Sequence, residues 1–158
     1  MSNKKGNIAF CPTSNLFLGS GLFYLNKARK NNIKVGLGTD VGAGTSLSMI
    51  QTMDEAYNVT QLRKAFTSNP QDVTTLTPLE NLYLATLAGA ELLSLDDKIG
   101  SFTAGKEADF VVLDPMAGDA LAIRNKNSKD LNERLFAIEM MGDDSTVEHT
   151  YIMGNMLK

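Results

Sequence analysis

Two short apolar segments near the start of the chain restrict its fold more than any other feature. Residues 7–11 read NIAFC and residues 33–38 read IKVGLG, and each is typical of a short buried strand. Between them PTSN predicts a polar turn, and residues 20–31 repeat leucine and alanine at three-residue steps, which favours a helix. Because two parallel strands need a crossover of about a dozen residues or more, this order predicts a parallel strand–helix–strand unit.

The second of these strands leads directly into a glycine-rich bend that carries one acidic residue. Residues 35–49 read VGLGTDVGAGTSLSM, so Asp40 follows the strand at once. Barrel enzymes place their chemistry where parallel strands end, and glycines lower the steric cost of a bend that turns the carboxylate inward. Asp40 is therefore a candidate functional residue. The structural alternative is that its carboxylate closes an Asx-turn or caps a helix that is predicted from residue 46.

Two longer helices are predicted in the middle of the chain. Residues 46–66 contain no glycine or proline and place apolar side chains at the i, i+3, i+4 spacing of a helix with a buried face. A polar connection follows at residues 67–76. Thr77 then precedes a proline and stands three residues before Glu80, which predicts a capped helix that continues through Leu93.

From residue 99 onwards the sequence predicts a different kind of structure. A glycine turn precedes DFVVLDP at residues 109–115, which predicts a buried strand closed by an acid and a proline. Residues 116–133 are polar and are expected to be irregular. The final segment, from Phe136, predicts two strands joined through GDDS. The second half of the chain is therefore expected to be β-rich.

Charge and apolar patterning exclude several classes of function. The 158 residues include 15 basic and 18 acidic side chains without a basic block, for a net charge of -3, so we expect no nucleic-acid partner. No apolar run reaches the roughly 18 to 20 residues that a membrane span needs. The N-terminal residues also lack the apolar core of a signal peptide. The sequence thus predicts a cytoplasmic protein without membrane association.

The single cysteine and the single histidine restrict the possible metal chemistry. Cys11 cannot form an internal disulfide, and together with His149 it cannot build a cysteine/histidine zinc site. We expect Cys11 to act as a small buried side chain and His149 to be a strand residue at or near the surface. A metal site would need ligands from elsewhere.

Three segments of the sequence resemble the amidohydrolase superfamily, and within it the guanine deaminase family. IAFCPTSNLFLGSG followed by IKVGLGTDVGAGTSLSM is similar to the seventh and eighth barrel strands and their loops. PLENLYLATLAGAELLSLDDKIGSFTAGKEADFVVLD resembles the passage from the last barrel helices into a small β-sandwich, and GDDSTVEHTYIMGNML resembles the end of that sandwich. The resemblance implies an α/β fold that is the C-terminal part of a (β/α)8 barrel, with the last two strands and their helices in residues 1–98. Residues 99–158 would be a β-rich segment of the composite sandwich domain.

The same resemblance implies a reaction and a site. Members of this family hold a divalent metal, usually zinc, at the mouth of the barrel, and Asp40 matches the aspartate that binds it and moves protons during hydrolysis of an amino group from a purine such as guanine. Thr13, Ser14 and Asn15 would then bind the substrate from the end of the first strand. Their alternative role is a turn that satisfies its own backbone.

The resemblance also implies that essential parts lie outside this chain. The family's paired and single histidine ligands and its catalytic glutamate have no counterpart here, since the 158 residues contain no HxH, HxxE or HC pair. A catalytic zinc normally takes three protein ligands, so we expect the chain alone to be inactive. We expect it to be the C-terminal piece of a longer enzyme, and either to associate with the missing N-terminal part or to form a homo-oligomer. The alternatives are a hydrolase for another amino- or chloro-heterocycle and a non-catalytic oligomeric module.

Overall fold

The computed structural model describes residues 6–157, and its first half is built on a parallel pair of strands. β1 (Asn7–Phe10) and β2 (Lys34–Leu37) pair in parallel, with Ile8 opposite Val35 and Ala9 opposite Gly36. Helices α1 (Pro12–Phe17) and α2 (Leu25–Lys30) form the crossover between them. The predicted strand–helix–strand unit is confirmed.

The segment after β1 differs from its prediction. PTSN is the first turn of α1 and not an irregular turn, and Asn15 N donates to Cys11 O at 2.9 Å. The reason lies in Pro12, which stands at the first position of the helix, where its fixed φ suits the helix and its missing N–H costs nothing. Residues 13–15 are therefore held in a helix that begins directly where the strand ends.

Three helices follow β2. Helix α3 (Met49–Ala65) begins after Ser48, whose hydroxyl accepts from Gln51 N. After a short 3₁₀ helix (Pro70–Asp72), α4 (Pro78–Ala85) begins with the predicted capping box between Thr77 and Glu80. The capped start of α4 is thus confirmed.

The helix predicted to run unbroken through Leu93 is interrupted at Thr86. The Thr86 hydroxyl donates to Leu82 O at 2.7 Å, and the Thr86 N–H bonds Tyr83 O instead. Because the side chain takes the carbonyl that the backbone N–H would use in a regular helix, the chain changes direction there. A separate helix α5 (Leu87–Leu93) follows.

The change of direction brings α5 against β2 at two glycines. A Cβ on the buried Gly36 would lie 3.1 Å from the Gly89 backbone and 2.9 Å from Leu92 Cδ1, whereas a Cβ on Gly89 would meet nothing within 4 Å. The close approach therefore depends on Gly36 having no side chain. It closes one face of the parallel strand pair.

The main core lies between this strand pair and helices α2 to α5. Phe10 is almost fully buried, and its ring stacks on Phe23 with 4.6 Å between the ring centroids. Further buried members of the same cluster are Leu25, Ala28, Val35, Ala56, Val59, Leu76, Leu84 and Ala88. The apolar residues of the first half thus pack on one another as the helical spacing predicts.

The second half combines an antiparallel sheet with two helices. β3 (Phe110–Leu113), β4 (Val147–Ile152) and β5 (Asn155–Met156) form a sheet in that order. Helices α6 (Asp119–Lys126) and α7 (Leu131–Met141), with a 3₁₀ helix (Asp144–Thr146), lie between β3 and β4. The strand predicted at DFVVLDP is confirmed, and so is the strand before the glycine turn at the end of the chain.

Two expectations for the second half are wrong. Residues 116–133, expected to be irregular, contain helix α6 and the start of α7, and FAIEMM, expected to be a strand from its apolar content, continues α7. Asp130 accepts from Glu133 N at 2.9 Å, and Glu133 accepts from Lys129 N at 2.9 Å. This Asp-x-x-Glu pattern is a helix-start signal. The structure therefore shows mixed α and β elements in this half.

Helix α7 returns to the first half of the chain and packs on α3 and α4. Phe136 meets Tyr57 edge to face with 5.2 Å between the ring centroids, and Glu139 contacts Asn81.

Within the described residues 6–157, no helix is long and apolar enough to cross a membrane.

We expect substitution of Gly36 by alanine to destabilise the protein by about 1–3 kcal/mol, since the new Cβ overpacks the contact with α5. The matched variant Gly89→Ala should leave stability unchanged or raise it by up to about 1 kcal/mol, because its Cβ meets open space and alanine favours the helix. Urea unfolding of the two variants measures both effects. Equal behaviour of the two would show that the close approach does not support the fold.

Candidate functional site

The loops that follow β1 and β2 meet at one edge of the parallel pair. Thr13, in the first turn of α1, donates its hydroxyl proton to Thr39 O at 3.3 Å. A Cβ on Gly44 would lie 1.9 Å from Thr39 O and 2.9 Å from Thr13 Oγ1, so the bend after β2 folds back tightly onto this contact. The two loops are therefore held together beside the carboxyl ends of both strands.

Asp40 lies at the turning point of this bend in a conformation that an aspartate rarely adopts. Its φ is +48°, in the left-handed region, and its carbonyl accepts from the N–H groups of Ala43 and Gly44. A left-handed conformation costs a non-glycine residue about 1–2 kcal/mol. The bend thus holds Asp40 beside the end of β2 in a strained backbone conformation.

The Asp40 carboxylate is exposed and has no structural partner among residues 6–157. No hydrogen bond or ion pair joins it to another described side chain or backbone group. The bend is closed by the backbone carbonyl of Asp40, and α3 is capped by Ser48. The two structural alternatives for this carboxylate, an Asx-turn and a helix cap, are therefore not found in the described structure.

Cys11 lies close enough to Asp40 to be affected by its charge. Partial burial, and then the negative charge of Asp40, raise the pKa of the Cys11 thiol. The thiol also points back to Ala9 O, 3.6 Å from Sγ. A protonated thiol is a poor nucleophile, so the geometry agrees with the interpretation of Cys11 as a small packing residue.

The three predicted substrate-binding residues share the start of α1 but differ in availability. Thr13 and Ser14 are both 3% exposed, and the Thr13 hydroxyl is used by Thr39 O. Asn15 is half-buried, and its side-chain amide makes no hydrogen bond to any other described residue. Asn15 therefore has the most freedom to bind a ligand at this edge, while Thr13 connects the two loops.

Asp40 fits a metal ligand, but the described residues do not complete a metal site. An exposed carboxylate without a protein partner has both oxygens available for a cation. Within residues 6–157, however, no three side chains of histidine, cysteine, aspartate or glutamate converge on one point. His149 lies opposite Val112 in the antiparallel sheet, with Nε2 3.9 Å from Glu148 Oε1. The remaining ligands would have to come from residues other than these.

A second polar feature, which the sequence did not indicate, lies where α7 meets α3 and α4. Glu139 is 3% exposed, and its Oε2 accepts from Asn81 Nδ2 at 3.3 Å. The same Asn81 Nδ2 also donates to Met53 O at 2.7 Å. Glu139 Oε1 and Asn81 Oδ1 are buried without a partner among the described residues. The one sequence signal for this pair is the acid inside the apolar run FAIEMM. Its importance becomes clear only with helix α7, in which that acid is buried.

Burial of Glu139 changes its titration. Desolvation raises the pKa of Glu139 to about 7; the hydrogen bond from Asn81 opposes this rise and the charge of Asp54 adds to it. The side chain is therefore an acid that titrates at much higher pH than an exposed glutamate.

Comparison with known proteins places this chain in a family. The sequence profile of the Amidohydrolase family matches residues 2–157. Over 157 residues the chain is 49% identical to the guanine deaminase of Escherichia coli, covering 99% of this chain and 34% of that enzyme. The chain thus spans about a third of the length of the curated relatives that it matches.

Solved structures give the same picture. The E. coli guanine deaminase superposes with a TM-score of 0.89, over 98% of this chain and 34% of the other. A guanine deaminase from C. acetobutylicum with guanine bound in its active site is 31% identical, with a TM-score of 0.82 over 96% of this chain and 34% of the other. An adenosine deaminase from Xanthomonas campestris with bound zinc is 27% identical, with a TM-score of 0.75 over 95% of this chain and 31% of the other.

We expect Asp40→Gly to raise the free energy of unfolding by about 1 kcal/mol, because glycine adopts the left-handed φ without strain. Asp40→Ala puts at this position a residue that tolerates the left-handed region less well than aspartate, so it should lower stability below that of the native protein. Urea unfolding of the three proteins gives the order. If alanine and glycine had the same effect, the backbone at Asp40 would not be strained.

We expect Glu139→Gln to change how stability depends on pH. The folded protein keeps a proton on Glu139 where the unfolded chain has lost it, so the stability due to that proton is present in acid and disappears as pH rises through 7. At about pH 8 the glutamine variant should be more stable than the native protein by up to about 3 kcal/mol, and at about pH 5 the two should be close.

Urea unfolding at both pH values measures this difference, and Asp97→Asn, which changes an exposed acid, is the control. A glutamine variant with the same advantage at both pH values would contradict the raised pKa of Glu139.

Proposed function

Because this chain belongs to the amidohydrolase family, we propose that it forms the last part of a metal-dependent aminohydrolase that converts guanine to xanthine and ammonia. The observation that carries the proposal is Asp40 at the carboxyl end of a parallel strand: its carboxylate is exposed and has no partner within residues 6–157, and its backbone is strained. Strain at such a position is typical of functional sites. The high identity to a guanine deaminase across nearly the whole chain supports the choice of substrate.

In this proposal residues 1–98 supply the last two strands of a (β/α)8 barrel with their helices, and residues 99–158 supply a segment of a small sandwich domain. The parallel pair of β1 and β2 supports it, since each strand keeps one edge unpaired among the described residues. Unpaired edges call for further strands. The segments that follow the two strands also expose apolar side chains, those of Phe17, Leu18, Val41 and Leu47, which the rest of the barrel would cover.

The metal in this proposal is zinc, held by Asp40 together with ligands from outside residues 6–157. When bound, it would supply Lewis-acid activation of water. The adenosine deaminase that contains zinc supports this choice by its similar fold. The association needed to complete the site is with an N-terminal part of the enzyme.

The residues of this chain would then act at the two loops. A carboxylate oxygen of Asp40 would accept the proton of the attacking water and return it to the departing amine, which is general base and general acid work by one group. Asn15 would bind the purine ring through its amide, and Ser14 would support it from the same turn. Thr13 would hold the two loops in register through Thr39 O.

A chimaera tests the proposal directly. The N-terminal two thirds of the E. coli guanine deaminase would be joined in one polypeptide to this chain, purified with zinc, and assayed for ammonia release from guanine. We expect activity in the chimaera and a loss of about 100-fold or more in kcat on Asp40→Asn, since both proton transfer and metal binding suffer. Asp97→Asn, an exposed acid with no described contact, should retain the activity.

Three results would count against the proposal. A folded chimaera that contains zinc but releases no ammonia from guanine would refute the assigned substrate, and adenosine in a parallel assay would identify a neighbouring one. Full activity in the Asp40→Asn chimaera would refute the role of Asp40. A stable homo-oligomer of the native chain by light scattering, with no activity in the chimaera, would favour the non-catalytic module.

A further inference from the structure

Helix α7 lies between two separate apolar cores. The main core cluster belongs to the first half of the chain and contains no residue of α7. Two buried residues of α7, Ala137 and Ile138, belong instead to a smaller cluster with Leu121 of α6. Movement of α7 away from α3 and α4 therefore need not open either core.

A single side-chain hydrogen bond joins α7 to α3 or α4 within residues 6–157. It runs from Asn81 Nδ2 on α4 to Glu139 Oε2 on α7, at 3.3 Å. The other hydrogen of Nδ2 is donated to Met53 O on α3, at 2.7 Å. The reverse orientation of the amide would place Asn81 Oδ1 against the Met53 carbonyl, and two acceptors cannot bond. The orientation of the amide is thus fixed, and both of its hydrogens are used.

The two polar atoms that remain in this contact are both acceptors. Asn81 Oδ1 and Glu139 Oε1 are buried and have no partner among the described residues. While the carboxyl group of Glu139 is ionised, neither atom can satisfy the other. A neutral carboxyl group, in contrast, carries an O–H donor as well as an acceptor, so an acid beside an amide can exchange two hydrogen bonds with it. The neutral form of Glu139 is the one that suits this contact.

The charges near Glu139 also favour its neutral form. Glu139 lines a cavity of about 470 Å³ between α3 and the segment that follows α7. Three other acids line the same cavity, Asp54 on α3 and Asp143 and Asp144 after α7, and none of its described lining residues is basic. Of these acids, Asp54 raises the pKa of Glu139, in addition to the larger effect of burial.

The other helices that pack on α7 bring no balancing positive charge to Glu139 among the described residues. Glu80, the one carboxylate of α4, forms the capping box at the start of that helix. Arg124 of α6 lines a different cavity together with Glu133, which is about 9 Å from Glu139 along α7. Loss of the proton from Glu139 would therefore leave a buried negative charge without a cation beside it, which is costly.

We propose that the contact of α7 with α3 and α4 is a pH-sensitive switch, closed by a proton on Glu139. In the closed state Glu139 Oε1 donates this proton to Asn81 Oδ1, while Asn81 Nδ2 donates to Glu139 Oε2, so all four polar atoms are satisfied. After loss of the proton, the carboxylate reaches water only if α7 and residues 142–146 move away from α3 and α4. The switch does not depend on the reaction proposed for Asp40.

The switch is closed in acid and weakens as pH rises. In the closed state the pKa of Glu139 is raised to about 7, whereas a glutamate exposed to water has a pKa of about 4.3. Between these two values each pH unit weakens the contact of α7 by about tenfold, and above the higher value the effect levels off. The equilibrium constant for opening should therefore increase by about 50–100-fold from pH 5 to pH 8.

Thiol labelling of the 158-residue protein tests the switch. Ile50 on α3 is 6% exposed and lies against the segment after α7, since a Cβ on Gly142 would be 3.3 Å from Ile50 Cγ2. Ile50→Cys, made together with Cys11→Ala so that one thiol is present, becomes reactive when α7 moves away. Its rate of labelling by dithiodipyridine, divided by the rate in concentrated urea at the same pH, gives the equilibrium constant for opening.

We expect this constant to increase by about 50–100-fold from pH 5 to pH 8. With Glu139→Gln added, it should change by less than about threefold, because the glutamine amide is neutral and can exchange the same two bonds with Asn81. Asp97→Asn, which changes an exposed acid, is the matched control and should keep the native pH dependence.

Val59→Cys, again with Cys11→Ala, separates opening of the α7 contact from complete unfolding. Val59 lies on the same helix as Ile50 but is fully buried in the main core cluster. Its thiol should react only on complete unfolding, with an opening constant at pH 8 at least about tenfold smaller than that of Ile50→Cys.

Amide hydrogen exchange of Ile138 in the unsubstituted protein measures the same opening if Ile50→Cys does not fold, since a free helix of 11 residues is marginal in water. The proposal is overturned if opening does not change with pH, or if Glu139→Gln keeps the native pH dependence. It is also overturned if the thiols of Ile50→Cys and Val59→Cys open with the same constant. Loss of the pH dependence in Asp97→Asn would overturn it as well, because general surface charge would then explain the effect.

Discussion

The parallel pairing of β1 with β2 determines where every part of the candidate site lies. Because the two strands run the same way in the register of Ile8 with Val35, both carboxyl ends reach one edge of the pair. The loops that leave those ends start side by side, and one hydrogen bond from Thr13 to Thr39 can join them. The pairing itself is covered on one face by α5, which approaches closely because Gly36 has no side chain.

The bend after β2 holds the backbone of Asp40 in a left-handed conformation. The left-handed φ of Asp40 raises the free energy of the folded chain, and we expect glycine to be the more stable residue at that position. Gly44 fits so closely against Thr39 O that the bend has little freedom to relax. Membership of the amidohydrolase family gives this arrangement a chemical purpose in our proposal, since a carboxylate with two free oxygens is what a metal ion needs.

Glu139 and Asn81 are a second polar feature that costs stability, at the junction of α3, α4 and α7. Their hydrogen bond satisfies one oxygen of the acid and leaves other buried polar atoms open. A partly satisfied polar pair costs stability compared with an apolar one.

The sequence by itself determined the local features. The apolar strands, the capping box at Thr77 and the glycine bend after β2 are recorded in residue types at short spacings, and the motifs around them identify the family. Short-range signals failed where the same residues suit two structures. FAIEMM is apolar enough for a strand, but it lies in helix α7, which is capped at Asp130. Thr86 carries no sequence mark of the break that it causes.

Only the tertiary structure decided which polar groups are left without partners. That the Asp40 carboxylate has no partner within residues 6–157, that Thr13 is already engaged, and that Glu139 is buried beside an acidic cavity all depend on which groups meet across long separations in the chain. Hydrogen bonding and desolvation are properties of such encounters, and residue order alone does not contain them.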